Sequence, residues 1–99
     1  MEQPAPSGGT GDCWAELIEI IETRETWVGF RELLPEMRAR RELGIERYGQ
    51  PVRRDDGRDA KRDAEEEALD LAVYLVRLDR LQDAWSVLRI FNRVRNDIR

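Results

Sequence analysis

Asp59, Asp63, Glu66, Glu67 and Asp70 recur at steps of four, three, one and three residues. On a helix, residues three and four apart are neighbours, so these carboxylates project within roughly a 100° sector. Tyr74 and Arg77 continue that sector over the next turns. Like charges at this spacing repel by about 0.3 kcal/mol per pair. A chain that stacks them has either cheap solvation or a cation to neutralise them. Hard divalent cations suit an all-oxygen donor set, and Mg²⁺ in particular keeps several waters and bridges to phosphate. The chemistry open to the stripe is therefore a Mg²⁺- or Mn²⁺-carboxylate site that presents a phosphorylated ligand. The plain alternative is a solvated acidic face, in which Arg62 pairs with Glu66 and Lys61 with Glu65.

Other chemistries are excluded by what the chain lacks. It has no histidine, which removes His-based proton transfer, Ser–His and Cys–His nucleophiles, and His-ligated zinc. Cys13 is the only cysteine, so no internal disulfide can form, and the chain suits a reducing compartment. No Gly-rich loop ends in Gly-Lys-Ser/Thr, so there is no P-loop. Carboxylates, arginines and tyrosines must carry any reaction. The net charge of −4 opposes nonspecific binding to duplex nucleic acid. The longest apolar run, Leu71 to Val76, is too short to span a bilayer, and the start of the chain lacks the pattern of a secretion signal. These features predict a cytoplasmic protein without membrane contact.

The elements that must position the stripe follow from periodicity. Residues 1–11, rich in Pro, Gly and Ser, read as a flexible tail, and 12–99 as a single helical domain. Asp12 is placed to cap a first helix over 13–24, whose apolar face is Trp14, Leu17, Ile18 and Ile21. Thr26 is the expected cap of a second segment with Trp27, Phe30, Leu33 and Leu34. Pro35 suits the first turn of a further helix, read either as one kinked helix or as two short ones, and Gly49-Gln50-Pro51 ends it. The acidic stripe rides on a helix over about 58–81. Its apolar arc, Ala64, Ala68, Leu71, Leu75 and Leu78 widened by Leu69, Ala72, Val73 and Val76, spans more than half the circumference. Such a helix sits in the middle of a bundle, so its carboxylates face a cleft or a subunit partner. A fourth helix over 84–97, capped by Asp83, presents Ala84, Val87, Leu88, Phe91, Val94 and Ile98. No Gly or Pro separates it from the third, so one long helix is the alternative. The fold class is all-α, a small antiparallel helical bundle with the acidic-striped helix at its centre.

Two stretches resemble a family. The run Asp63-Ala64-Glu65-Glu66-Glu67-Ala68-Leu69-Asp70-Leu71-Ala72-Val73-Tyr74-Leu75 is similar to the acidic helix of MazG-like all-α nucleoside triphosphate pyrophosphohydrolases. Upstream, Gly44-Ile45-Glu46-Arg47-Tyr48-Gly49 and Gly57-Arg58-Asp59-Ala60 resemble short phage and prophage relatives, in which a basic–aromatic–Gly turn precedes that helix. The resemblance covers roughly 40–81. It implies a helical bundle assembled as a dimer or tetramer, and Mg²⁺-dependent hydrolysis of a nucleoside triphosphate to the monophosphate and pyrophosphate. Carried over, Glu67 and Asp70 match the Glu-x-x-Asp pair and are the expected catalytic carboxylates. Asp63 and Glu66 join them as expected metal ligands. Arg47, Arg58 and Arg77 would stabilise phosphate charge. Tyr48 and Tyr74 would contact the nucleoside, with core packing as the plain alternative for both. The family uses two acidic motifs and this chain shows one clear copy. Glu16, Glu19 and Glu22, or Glu42 and Glu46, or a neighbouring subunit, are the sources open for the second. A noncatalytic module that binds or sequesters nucleotide, and a helical assembly protein anchored by Trp14, Trp27 and Trp85, are the alternative functions.

Overall fold

A computed structural model describes residues 2–97, and within them the protein is all-α. Four α-helices and one 3₁₀ segment make up the ordered elements, with no strand among the described residues. The contacts fall into two compact units, residues 1–58 and 59–99.

In the first unit, α1 (Cys13–Thr23) starts where the sequence places it, because the Asp12 carboxylate accepts from the Ala15 N–H at 2.9 Å. This satisfies one of the amides that a helix start leaves without a partner. Its far end is closed by Arg31, whose Nε and Nη2 donate to the carbonyls of Ile21 and Glu22. The next segment is a 3₁₀ helix, Glu25–Leu33. Thr26 lies inside it and does not cap it: the preceding residue is Arg24, with no side-chain cap. Pro35 occupies the first turn of α2 (Leu34–Tyr48), a single continuous helix that ends at Gly49 in the left-handed conformation, φ 77°. Ile18, Ile21 and Leu34 form the buried core, with Leu17, Trp27 and Met37 packed against them. Burial of these side chains is the main stabilising term available to the unit.

The segment before α1 runs along the loop that follows α2. Thr10 and Arg54 exchange both backbone hydrogen bonds at 2.9 and 3.0 Å, Ser7 N donates to Asp56 O, and Cys13 N donates to Val52 O. Gln50 Nε2 and Arg58 Nη1 donate to the carbonyls of Gly8 and Pro4. Gly9 is required there: its φ is +87°, and a Cβ at this position would stand 2.3 Å from Arg54 O.

The second unit is a helical hairpin of α3 (Ala60–Arg77) and α4 (Leu81–Arg95). α3 is shorter than the sequence suggested and α4 begins three residues earlier, with Arg80 rather than Asp83 before its first turn. The two are separate helices. Asp79 takes a left-handed φ of 58° between them, a conformation that short polar side chains tolerate. Lys61 Nζ donates to Asp97 O and Arg95 pairs with Glu65, so the start of α3 lies beside the end of α4 and the two run antiparallel. Ala72, Ala84 and Phe91 are the buried residues of this seam. Ile98 and Arg99 lie outside the described residues.

Candidate functional site

α3 carries the acidic stripe, and the first carboxylate of that stripe fixes its N-terminus. Asp59 Oδ1 accepts from Arg62 N at 3.1 Å, and Asp63 in the first turn faces the positive end of the helix dipole. One row of the helix then turns to α4. Glu65, Ala68, Ala72 and Leu75 recur at the three- and four-residue steps of a packing seam, each partly or fully buried. Asp63, Asp70 and Arg77 recur at seven-residue steps on the far side, within about 40° of one another, and Glu67 and Tyr74 form the adjacent row.

The carboxylates are thereby sorted. Glu65 is committed to the hairpin: its Oε2 accepts from Arg95 Nε and Nη2 at 3.2 and 3.1 Å. Lys61, expected beside it, reaches the Asp97 carbonyl instead. Glu66 accepts from Arg62 Nε at 3.1 Å, an exposed i,i+4 pair that the spacing foretold. Asp63 is half-buried and engaged. Glu67 and Asp70, one turn apart, are exposed and have no protein partner among the described residues. Tyr74 and Arg77 on the following turns are exposed as well.

No family model matches the chain, and neither a curated protein nor a solved structure does. The arrangement on α3 therefore has to be judged on its own chemistry. Among the described residues no three Asp, Glu or Cys side chains lie close enough together to hold a metal ion. The stripe is not a cage for a metal alone. Two free carboxylates at i and i+3 do suit a hydrated Mg²⁺ that takes its remaining ligands from water and a substrate phosphate.

Three of the predicted substrate-binding residues belong to the first unit. Arg47 and Tyr48 end α2, with the guanidinium 5.7 Å from the ring centroid, a cation–π distance. Tyr48 is half exposed, as is Tyr74, so neither tyrosine packs in a core. Arg58 fastens the N-terminal segment: Nη1 donates to Pro4 O at 2.7 Å, and its amide donates to Asp56 Oδ1. Glu16 pairs with Arg54, and that hydrogen bond raises the Arg54 pKa above its ordinary value.

The first unit also holds an ionic cluster that no sequence spacing signalled. Arg41 Nε donates to Asp12 Oδ2 and Arg41 Nη1 to Glu42, each at 2.8 Å, and Arg38 pairs with Glu22 at 3.1 Å. With Ala15 and Ile18, the residues Glu22, Arg38, Arg41 and Glu42 line a hollow of about 330 Å³. Burial pushes the Asp12 carboxyl up, but the Ala15 amide and the Arg41 guanidinium outweigh it and hold the pKa below its ordinary value. The partners lie 29 residues apart on different elements, so only tertiary structure reveals them.

Proposed function

We propose that this protein is a Mg²⁺- or Mn²⁺-dependent nucleoside triphosphate pyrophosphohydrolase of the MazG-like kind, acting in the cytoplasm as a homo-oligomer. The observation that carries this reading is the pair Glu67 and Asp70, left exposed and unpaired on α3 while Glu65 and Glu66 of the same helix are bound to arginines. The resemblance of residues 40–81 supports it, because those two positions fall on the family's Glu-x-x-Asp pair. A bound divalent ion supplies charge neutralisation at the phosphates and a more acidic water. Glu67 and Asp70 would hold that ion, with Asp63 two turns back on the row of Asp70 and Glu66 on its flank. Arg77 lies on the same row as Asp70 and stabilises charge on the phosphate chain, and Tyr74 offers a ring face and a hydroxyl to the nucleoside. Arg47, Tyr48 and Arg58, in the first unit, are assigned to substrate by the resemblance alone.

The test is release of pyrophosphate and nucleoside monophosphate from a panel of ribo- and deoxyribonucleoside triphosphates, with Mg²⁺ or Mn²⁺ and with chelator. Metal-dependent pyrophosphate release that is lost in Glu67→Gln/Asp70→Asn, with helicity unchanged, is the expected result. Turnover surviving in that double variant removes the site assignment. Absence of turnover together with a nucleotide-induced rise in Tm replaces the reading with a noncatalytic nucleotide-binding module.

A helical assembly module is the second reading. It is favoured by the apolar side chains that the hairpin leaves exposed, from Leu69 to Ile90.

A further inference from the structure

Residues 4–11 lie on the 50–58 loop and are held there by hydrogen bonds rather than by a buried side chain. Arg58 Nη1 donates to Pro4 O at 2.7 Å, Ser7 N to Asp56 O at 2.9 Å, and Gln50 Nε2 to Gly8 O at 2.9 Å. Thr10 and Arg54 exchange their backbone bonds at 2.9 and 3.0 Å. None of residues 4–11 is buried. Exposed hydrogen bonds add little net stability, because water replaces them on opening. Gly8, Gly9 and Gly11 stand at φ 66°, 87° and 75°, and glycine gives up more freedom on ordering than any other residue. Such a stretch opens locally while the rest of the fold stays closed. Both of its boundaries are firm. Asp12 is held by the Ala15 amide and by Arg41, which leaves Gly11 as the pivot. Across from it, Asp56 is buried and its Oδ1 accepts from Arg58 N, which fixes the turn that carries Arg58.

We propose that residues 4–10 are an autoinhibitory strap, which occupies Arg58 when closed and releases it to a polyphosphate chain by swinging away about Gly11. The proposal rests on the reading of Arg58 as a phosphate contact. In the closed form the Pro4 carbonyl takes an Arg58 N–H that a phosphate oxygen would otherwise accept. Phosphate offers the guanidinium a full opposite charge and a bidentate fit, which a single neutral carbonyl does not. Polyphosphate therefore binds the open form in preference to the closed one, and binding and opening promote each other by the same factor. The apparent affinity falls in proportion to the fraction of molecules whose strap is open. Anything that fastens the strap weakens binding, and anything that loosens it strengthens binding, without touching Arg58.

Titration calorimetry of the full chain with inorganic tripolyphosphate and Mg²⁺ tests it. Gly9→Ala, whose Cβ meets Arg54 O, loosens the strap and tightens binding about tenfold, the factor for a strap closed nine-tenths of the time. Arg58→Gln also loosens the strap, yet it weakens binding, because the phosphate contact is gone. A residue that only fastened the strap would give the opposite sign. A lock avoids any dependence on a loosened variant folding. Residues that exchange both bonds, as Thr10 and Arg54 do, have Cα atoms about 5.5 Å apart, within reach of a disulfide. In a Cys13→Ser background, Thr10→Cys/Arg54→Cys binds tripolyphosphate at least tenfold more weakly oxidised than reduced. Hydrogen exchange gives the same answer in the native chain: tripolyphosphate speeds exchange at the Ser7 and Thr10 amides and leaves Ile21 unchanged. Equal affinity of the oxidised and reduced forms overturns the proposal. So does Arg58→Gln binding as tightly as Gly9→Ala, slower exchange at Ser7 and Thr10 with ligand, or no binding of tripolyphosphate to any form. Absence of nucleotide turnover with these differences intact removes the enzyme reading and leaves the strap.

Discussion

Asp12 performs two tasks that substitution separates. Its Oδ1 caps α1 through the Ala15 amide at 2.9 Å, and its Oδ2 takes Arg41 Nε at 2.8 Å. The two side chains are 20% and 30% exposed, so the pair is better shielded than an ordinary surface ion pair and still partly solvated. Asparagine keeps a capping oxygen and drops the charge, whereas alanine loses both. Asp12→Ala therefore costs about 1 kcal/mol for the cap plus the loss of the ion pair, and Asp12→Asn costs the ion pair alone. In a chain of this size, ~1 kcal/mol lowers Tm by about 4–8 °C. The pH dependence has a definite sign. The folded pKa of Asp12 lies below its ordinary 3.8, so ionisation is favoured by folding. The stabilisation is complete above that ordinary value and is lost as pH falls through the lowered folded value. Denaturant unfolding of the native chain, Asp12→Asn and Asp12→Ala, followed by circular dichroism from pH 7 down into this range, measures it. The gap between native and Asn stays constant down to about pH 5 and closes at the acid end, while the gap between Asn and Ala persists. Equal losses for Asn and Ala, or a native–Asn gap that widens in acid, would refute the reasoning.

Gly9→Ala places a Cβ against the Arg54 carbonyl at a left-handed backbone position. It breaks the Thr10–Arg54 exchange, which faster amide hydrogen exchange at those two residues reports. Gly49→Ala meets no neighbouring atom and pays only for its left-handed φ, about 1 kcal/mol, and Gly49→Asn recovers part of that in thermal melts. Phe91→Ala empties the hairpin seam and costs about 3–5 kcal/mol, read as loss of α3–α4 helicity. Glu67→Gln/Asp70→Asn relieves repulsion between neighbouring carboxylates and raises Tm slightly in chelator, while removing any stabilisation by Mg²⁺ in the presence of nucleotide.

The elements that the sequence announced are those whose ends carry their own chemistry. Asp12, Pro35 and Gly49 act within a turn of themselves, so the start of α1 and the two ends of α2 were legible, while the choice between one helix and two for α2 stayed open. Asp59 read only as part of the acidic row, and its capping bond to Arg62 N is a finding of the structure. The reversal at Asp79 was not, because an aspartate can enter the left-handed region without a Gly or Pro to signal it. The ladder between residues 7–10 and 54–56 is made by backbone groups in a Gly-rich segment without apolar periodicity, so composition alone suggested a free tail. On α3 the acidic row and the Arg62–Glu66 pair followed from spacing. The diversion of Glu65 to Arg95 and of Lys61 to the end of α4 depends on the hairpin. The sequence likewise showed a wide apolar arc on α3 but could not divide it between the seam and the uncovered face.

The backbone ladder between Thr10 and Arg54 also sets an order of events during synthesis. It closes a loop of about 45 residues, whose entropic cost cannot be recovered until both segments exist. On the ribosome, α1 emerges early, yet the Leu34 side chain that completes its core and the carbonyls of residues 52–56 that hold its leading segment come later. The first unit therefore locks only once Arg58 has left the exit tunnel. Slowing translation just beyond that point allows it to close before the apolar α3 arrives, whereas a stall before it leaves Ile18 and Ile21 without their cover.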